Sequence, residues 1–310
     1  MVSKRYVDRS LRENRVSANT TEHLHDSAVG LDQRPPVEIA ALLASGQVAA
    51  AACVQQAIPA ICAGAEAMAR TINAGACLHY AAAGSSGLMA AADAQELGGT
   101  FSIPAAQLRI HMAGGLPMGV EMPGDTEDAT DGLAAAMAEL SEKDTMIAVS
   151  ASGSTPYTIE ATRIAKSKGA TVIGIANNAG SDLLNMADHA VLLATPPEVL
   201  SGSTRMGAGT AQKIALNTLS VLMAVHLGHV HDGMMVNVHA DNIKLRARAC
   251  GIVAQIAGVP ETAARDTLDA AGGHVKTAVL MAATGLARDA AQARLKDTHG
   301  HLRPALERTV

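Results

Sequence analysis

Tryptophan is absent from this chain, and aromatic rings are confined to Tyr6, Tyr80, Tyr157 and Phe101. Basic charge is also short, with 24 Lys and Arg against 29 Asp and Glu and a net charge of -5. Neither base stacking nor phosphate-backbone neutralisation is supported by such a chain, so no nucleic-acid partner is expected. The four cysteines, Cys53, Cys62, Cys77 and Cys250, contain no CxxC pair. The opening Met1-Val2-Ser3-Lys4-Arg5 lacks the apolar stretch of a secretory leader, which makes the reducing cytosol the expected compartment. No membrane is expected as a partner either. The longest apolar stretch, Ala40 to Ala69, is broken by Gln47, Gln55, Gln56 and Glu66, whereas a span wants about 20 uninterrupted apolar residues.

What is present is 310 residues, 48% hydrophobic and 17% charged, enough for one sizeable α/β domain with a smaller appendage. Residues 1–36 are polar and end at Pro35-Pro36, which predicts an extended arm. From Val37 to Asn73 the chain is rich in Ala, Ile, Leu and Met, and the interruption at Gly46 and stop at Gly75 predict two stacked helices. Five short apolar runs follow, Cys77–Ala83, Gln107–Ala113, Thr145–Ala151, Ala170–Ala176 and His189–Ala194, each separated from the next by a turn and a helical stretch. Near-continuous apolar strands alternating with helices predict a doubly wound, mainly parallel α/β sheet covered on both faces. A long helix is expected from Ala208 to Leu227. Residues 236–310 then read as a small helical subdomain without strands, broken near Gly258-Val259-Pro260, Gly272-Gly273 and Gly285. The division expected is thus 1–36 arm, 37–235 main domain and 236–310 helical subdomain.

In open α/β sheets ligands bind outside the carboxyl ends of the strands. Two loops there pair glycine with hydroxyls ahead of a helix: Gly84-Ser85-Ser86-Gly87 after the first strand and Ser152-Gly153-Ser154-Thr155 after the third. Glycine lets the backbone approach a ligand, hydroxyls donate to it, and helix N-termini favour an anion. A third loop, Leu200 to Arg205, adds Ser203 and Thr204. Any one of these loops could do no more than cap a helix. Two on neighbouring strand ends point to a small phosphorylated metabolite, since neither GxxxxGK[ST] nor GxGxxG stands at a strand end.

The motifs Ala83-Gly84-Ser85-Ser86-Gly87, Asp93-Ala94-Gln95-Glu96, Thr126-Glu127-Asp128, Ala151 to Tyr157, Pro197 to Arg205 and Ala208 to Lys213, in this order and spacing, resemble the N-acetylmuramic acid 6-phosphate etherases of the sugar isomerase (SIS) domain superfamily. The resemblance runs from Thr21-Glu22 to about Val275-Lys276-Thr277-Ala278. It implies a metal-free, cofactor-free carbon-oxygen lyase that releases D-lactate from a phosphorylated amino sugar by elimination and hydration, working as a homodimer. Proton removal from carbon and protonation of a departing alkoxide suit two carboxylates in different environments. The resemblance assigns these roles to Glu96, as proton donor, and to Glu127 or Asp128, as base. It assigns ligand contacts to Gly84, Ser85, Ser86, Gly87, Ser152, Gly153, Ser154, Thr155, Ser203 and Thr204, and a structural or sugar-contacting role to Glu198. Two alternatives share the same loops: an aldose-ketose isomerase, which retains the C3 substituent, and a phosphosugar-sensing regulator without turnover.

This sequence departs from the family pattern at several places. Leu88 and Ser154 stand where the etherases carry arginines, which removes two guanidinium donors for an anion. Leu97-Gly98-Gly99 replaces Cys-Pro-Pro, Leu24-His25 replaces Arg-Asn, Gly124-Asp125-Thr126 replaces Glu-Gly-Ala, and Gly207 replaces lysine. The spacing of His226, His229, His231, Asp232 and His239 resembles that of metal ligands but reads better as a polar helix terminus. His79 and His111 alternate with apolar residues in expected strands and read as hydrogen-bonded structural imidazoles. Met112, Met118, Met122 and Met206 read as packing material in a chain short of aromatics.

Overall fold

The computed structural model describes residues 20–122, 125–238 and 243–307. Tyr6, Gly124 and His239 lie outside the described residues, as does most of the expected arm. Residues 20–33 are not extended: they make three short 3₁₀ turns, Thr20–Glu22, Asp26–Ala28 and Leu31–Gln33. Short polar side chains that bond back to the backbone favour such turns, as His25 does by accepting from the Ser27 N–H.

The expected helix pair is one continuous helix, α1, Pro36–Asn73. Gly46 does not interrupt it, because the missing side chain is used for packing: a Cβ there would meet Val199 at 3.1 Å. Pro59 removes one backbone donor inside the helix. Both Pro59 and Gln55, four residues earlier, face solvent, where the freed carbonyl can find water. Gly75, at φ +73°, ends the helix as expected.

The chain then runs β1 (Leu78–Ala82), α2 (Gly84–Phe101), β2 (Leu108–Met112), α3 (Leu133–Ala136), β3 (Thr145–Ser150), α4 (Pro156–Ser167), β4 (Thr171–Ala176), α5 (Asp182–Met186), β5 (His189–Leu192) and α6 (Gly207–His226). All five strands pair in parallel in the order β2-β1-β3-β4-β5. On one face α1, α2 and α6 bury Ile61, Met68, Leu97, Leu216 and Leu219 against Tyr80, Ile147 and Ile173. On the other, α4 and its neighbours bury Met137, Leu140, Ala161 and Leu183 against Met146 and Val172. Strands covered on both faces explain the near-continuous apolar runs.

A short antiparallel hairpin, β6 (Val230–His231) and β7 (Met234–Met235), occupies the expected polar helix terminus. Asp232 at φ +46° and Gly233 at φ +75° close it with both turn residues left-handed, the geometry that an Asp-Gly pair supports. The histidine run is thereby split, with His226 at the end of α6, His229 in the connecting turn and His231 in β6. His226, His229 and His231 do not gather as metal ligands among the described residues.

The remaining helices are α7 (Ile243–Ala257), α8 (Glu261–Ala270), α9 (Val275–Thr284), α10 (Arg288–Asp297) and α11 (Leu302–Glu307), broken at the glycines named above. They share a third core, in which Val236, Val238, Val253, Val279 and Leu280 are buried. Of the four methionines expected to pack, Met112 is buried, but Met118 is fully exposed, in an apolar segment that also exposes Leu116, Val120 and Met122.

Candidate active site

With the order β2-β1-β3-β4-β5, the chain leaves β1 toward one edge and β3 toward the other, so the topological switch point lies between these two strands. The two hydroxyl-rich loops end these strands. They therefore sit side by side, about 4.8 Å apart at the strand ends.

Loop one is the first turn of α2. Gly84, at φ +52°, opens the helix, and no side chain caps it, which leaves first-turn N–H groups directed outward. Gly87 is buried where a Cβ would press within 3.0 Å of the Met112 side chain, so glycine allows α2 to close on the end of β2. Ser86 is buried and Ser85 is half-buried.

Loop two is a network of hydroxyls organised by Ser150. Its Oγ lies 2.8 Å from Thr155 Oγ1 and 3.3 Å from Ser152 Oγ, and accepts the Gly153 N–H at 3.0 Å. Ser152 Oγ accepts from Ser154 N–H and Oγ, each at 3.2 Å. Gly153, at φ +71°, lies against Ser181, and a Cβ there would collide with that side chain. The N-terminus of α4 follows directly, with Pro156 at its first turn and no side-chain cap.

Glu127 joins the two loops. Its backbone carbonyl accepts the Tyr157 N–H at 3.0 Å at the start of α4. Its carboxylate lies over the start of α2, where Oε1 would be 2.5 Å from a Cβ on Gly84. Both Glu127 and Asp128 are exposed on this turn, but Asp128 has no atom within 4 Å of that point.

Glu96 is elsewhere in the same chain. It is exposed on α2, twelve residues beyond Gly84, which at 1.5 Å per residue is about 18 Å along the helix. Glu198 is buried, and both of its oxygens are used: Oε2 accepts the Gly207 N–H and Oε1 the Ala208 N–H, each at 2.9 Å, capping α6. The lysine expected at 207 would bring its Cβ within 3.0 Å of that carboxylate, so glycine suits this cap. Ser203 and Thr204 are half-buried in the loop after the edge strand β5.

Two residues that shape the site were given no role from the sequence. Asn178, just beyond β4, donates to Ser152 O at 3.2 Å and to Thr21 Oγ1 at 3.0 Å, and accepts the Thr21 N–H at 3.2 Å. It ties the N-terminal turns to loop two. A polar Asn177-Asn178 doublet directly after an apolar strand was a visible signal for this. Buried Asp93 accepts from Tyr80 at 3.0 Å, Asn217 at 2.8 Å and Ser220 at 2.9 Å, joining α2, β1 and α6. Burial raises its carboxyl above the usual carboxylate range, and the three donors oppose that rise.

Comparison with known proteins adds to this geometry. A SIS domain model matches residues 118–225. The N-acetylmuramic acid 6-phosphate etherase of Deinococcus radiodurans is 42% identical over 289 residues, covering 92% of this chain and 94% of that protein. Those of Streptomyces avermitilis and Streptomyces coelicolor are each 38% identical, and each comparison covers 93% of both chains. Identity at this level across nearly the full length of both partners means that this chain belongs to the N-acetylmuramic acid 6-phosphate etherase family.

Proposed function

We propose that this protein cleaves the D-lactyl ether of N-acetylmuramic acid 6-phosphate, giving N-acetylglucosamine 6-phosphate and D-lactate. The observation that carries this is the Glu127 carboxylate lying over Gly84 beside the serine network, at the switch point of the sheet. The phosphate is assigned to Ser152, Ser154 and Thr155 and the start of α4, where neutral donors gather. Glu127 then faces the sugar carbons and is the base that removes the C2 proton. The C3 lactyl oxygen leaves with a proton from an acid, and water adds at C3. With Leu88 and Ser154 in place of arginines, phosphate affinity rests on N–H and hydroxyl donors, each weaker than a guanidinium fork.

Glu96 is assigned as that acid, delivered by a second copy of the chain. Its distance from its own cradle supports this, as do exposed apolar surfaces that a monomer leaves uncovered. Only 11% of the most apolar 18-residue stretch of α1 is buried, although its C-terminal half is core. On α6, Val221 and Val225 are 46% and 44% exposed. Leu116, Met118 and Val120 are exposed on the segment that leads to Glu127. A symmetric dimer buries such faces and can complete each site from two chains. By length and composition α1 could also cross a membrane, but its C-terminal half packs on α6 and the sheet. We place the activity in the cytoplasm, in peptidoglycan recycling, consistent with four free cysteines.

The test is incubation with N-acetylmuramic acid 6-phosphate and enzymatic measurement of D-lactate. Release that falls by more than about a hundredfold in Glu127→Gln is expected for loss of a general base. Intact substrate, or an isomerised sugar that keeps its lactyl group, rejects the proposal.

A further inference from the structure

At the opposite, amino-terminal end of the central strands, Cys77, His79 and Asp144 bring a thiol, an imidazole and a carboxylate together, with all three ligand atoms within 4.8 Å of one another. From this cluster we propose a transition-metal site, suited to Zn²⁺, with Cys77 Sγ, His79 Nε2 and an Asp144 oxygen as protein ligands and a fourth position open to solvent. β1 is five residues long, which separates the cluster from the switch point by about 16 Å. The site is therefore independent of the etherase chemistry.

Four observations carry it. His79 Nε2 and Asp144 Oδ2 are 3.9 Å apart and both side chains are buried, so they face each other across a gap too wide for a hydrogen bond. A cation centred among three atoms at most 4.8 Å apart would lie no more than roughly 2.8 Å from each, so each would move about 0.5 to 0.8 Å to reach zinc distances of 2.0 to 2.3 Å. Outer partners fix the ligands. His79 Nδ1 lies 3.0 Å from His111 Nε2, which leaves Nε2 of the neutral ring for the metal. Asp144 accepts the Cys77 and Ser141 N–H groups, each at 2.7 Å, and the Ser141 hydroxyl at 2.9 Å. Finally, the cluster lines a cavity of about 330 Å³ shared with Arg109 and Glu139, which has room for water or a small anion at the fourth position.

The charge balance favours a soft divalent ion. One thiolate and one carboxylate neutralise a 2+ charge, and binding releases the thiol proton to solvent. Sulfur and imidazole ligands select zinc or cobalt over magnesium or calcium. The ion would clip the start of β1 to the start of β3, which are neighbours in the sheet.

The experiment is titration of metal-free protein with Co²⁺, followed by Zn²⁺. One equivalent of Co²⁺ is expected to give a thiolate-to-cobalt charge-transfer band and tetrahedral visible absorption, both displaced by Zn²⁺. Cys77→Ser should abolish the charge-transfer band, and His111→Gln should keep it with affinity lowered about 10- to 100-fold. If Cys77→Ser fails to fold, the variant Cys53→Ser, Cys62→Ser, Cys250→Ala, which retains Cys77 alone, must keep the full band. Absence of the band in the unmodified protein, its survival in folded Cys77→Ser, or its loss in the Cys77-only variant overturns the site.

Discussion

Replacing Gly84 with alanine puts a methyl group where the Glu127 carboxylate now lies. Two costs follow from the structure. At φ +52° an L side chain is strained by about 1–2 kcal/mol. With an unfolding entropy of roughly 2.1 cal/mol/K per residue, that strain lowers Tm by about 2–3 °C in a chain of this length. The larger effect is geometric. The new Cβ would lie 2.5 Å from Glu127 Oε1, while ordinary contact begins at 3.4 Å, so the carboxylate must withdraw by about 0.9 Å. A displacement of about 1 Å at a reacting group costs on the order of a hundredfold in rate. The assay is D-lactate release under steady-state conditions alongside a thermal melt. The expected result is a fall in kcat near a hundredfold, KM changed little because loop two is untouched, and a melt only slightly lower. A Gly84→Ala enzyme within about threefold of the parent kcat/KM would refute the assignment of Glu127 to this position.

Ser150→Ala removes the hydroxyl that links Ser152, Thr155 and the Gly153 N–H. It should raise KM about tenfold with a smaller effect on kcat, since a disordered phosphate cradle loses roughly one charge-assisted hydrogen bond. Asp93→Ala strands the donors of Tyr80, Asn217 and Ser220. The expected cost is about 3 kcal/mol, a loss of roughly 5 °C in a differential scanning calorimetry trace. The His229 imidazole is pushed down to about 4, chiefly by burial, and its Nδ1 has no hydrogen-bond partner. A depressed folded value means that the unfolded state takes up the proton first. The stability from neutral His229 is complete above about pH 6.5 and is lost as pH falls toward 4. Melts of His229→Leu across that range should show a shallower acid loss than the parent, and parallel curves would contradict this cause.

All five strands, their parallel pairing and the long helix α6 were legible in the sequence, because a sheet buried on both faces needs apolar runs and each crossover needs a turn. The helical breaks at Gly258, Gly272-Gly273 and Gly285 were legible for a similar reason: glycine marks the end of a helix in its own local geometry. The joining of α1 across Gly46 and Pro59 was not, since Gly46 is dictated by Val199 from a distant loop and Pro59 by which side of the helix meets water. The Asp232-Gly233 turn carries a hairpin signal of its own, the Asp-Gly pair, set among histidines whose spacing resembles that of metal ligands. Within the site, the two loops could be located from strand ends and glycines. The seating of Glu127 on Gly84 could not, because it depends on a turn reaching back over a different crossover. Glu198 illustrates the same limit, as nothing local reveals that its carboxylate caps α6.

The most direct test of the two-carboxylate site is to mix inactive Glu96→Ala and Glu127→Ala proteins under conditions that exchange subunits, and to measure D-lactate release. If each site takes Glu127 from one chain and Glu96 from the other, random pairing restores about a quarter of the parent activity, because half the dimers are mixed and each holds one intact site. A mixture that forms mixed dimers and stays as inactive as its components would contradict the account.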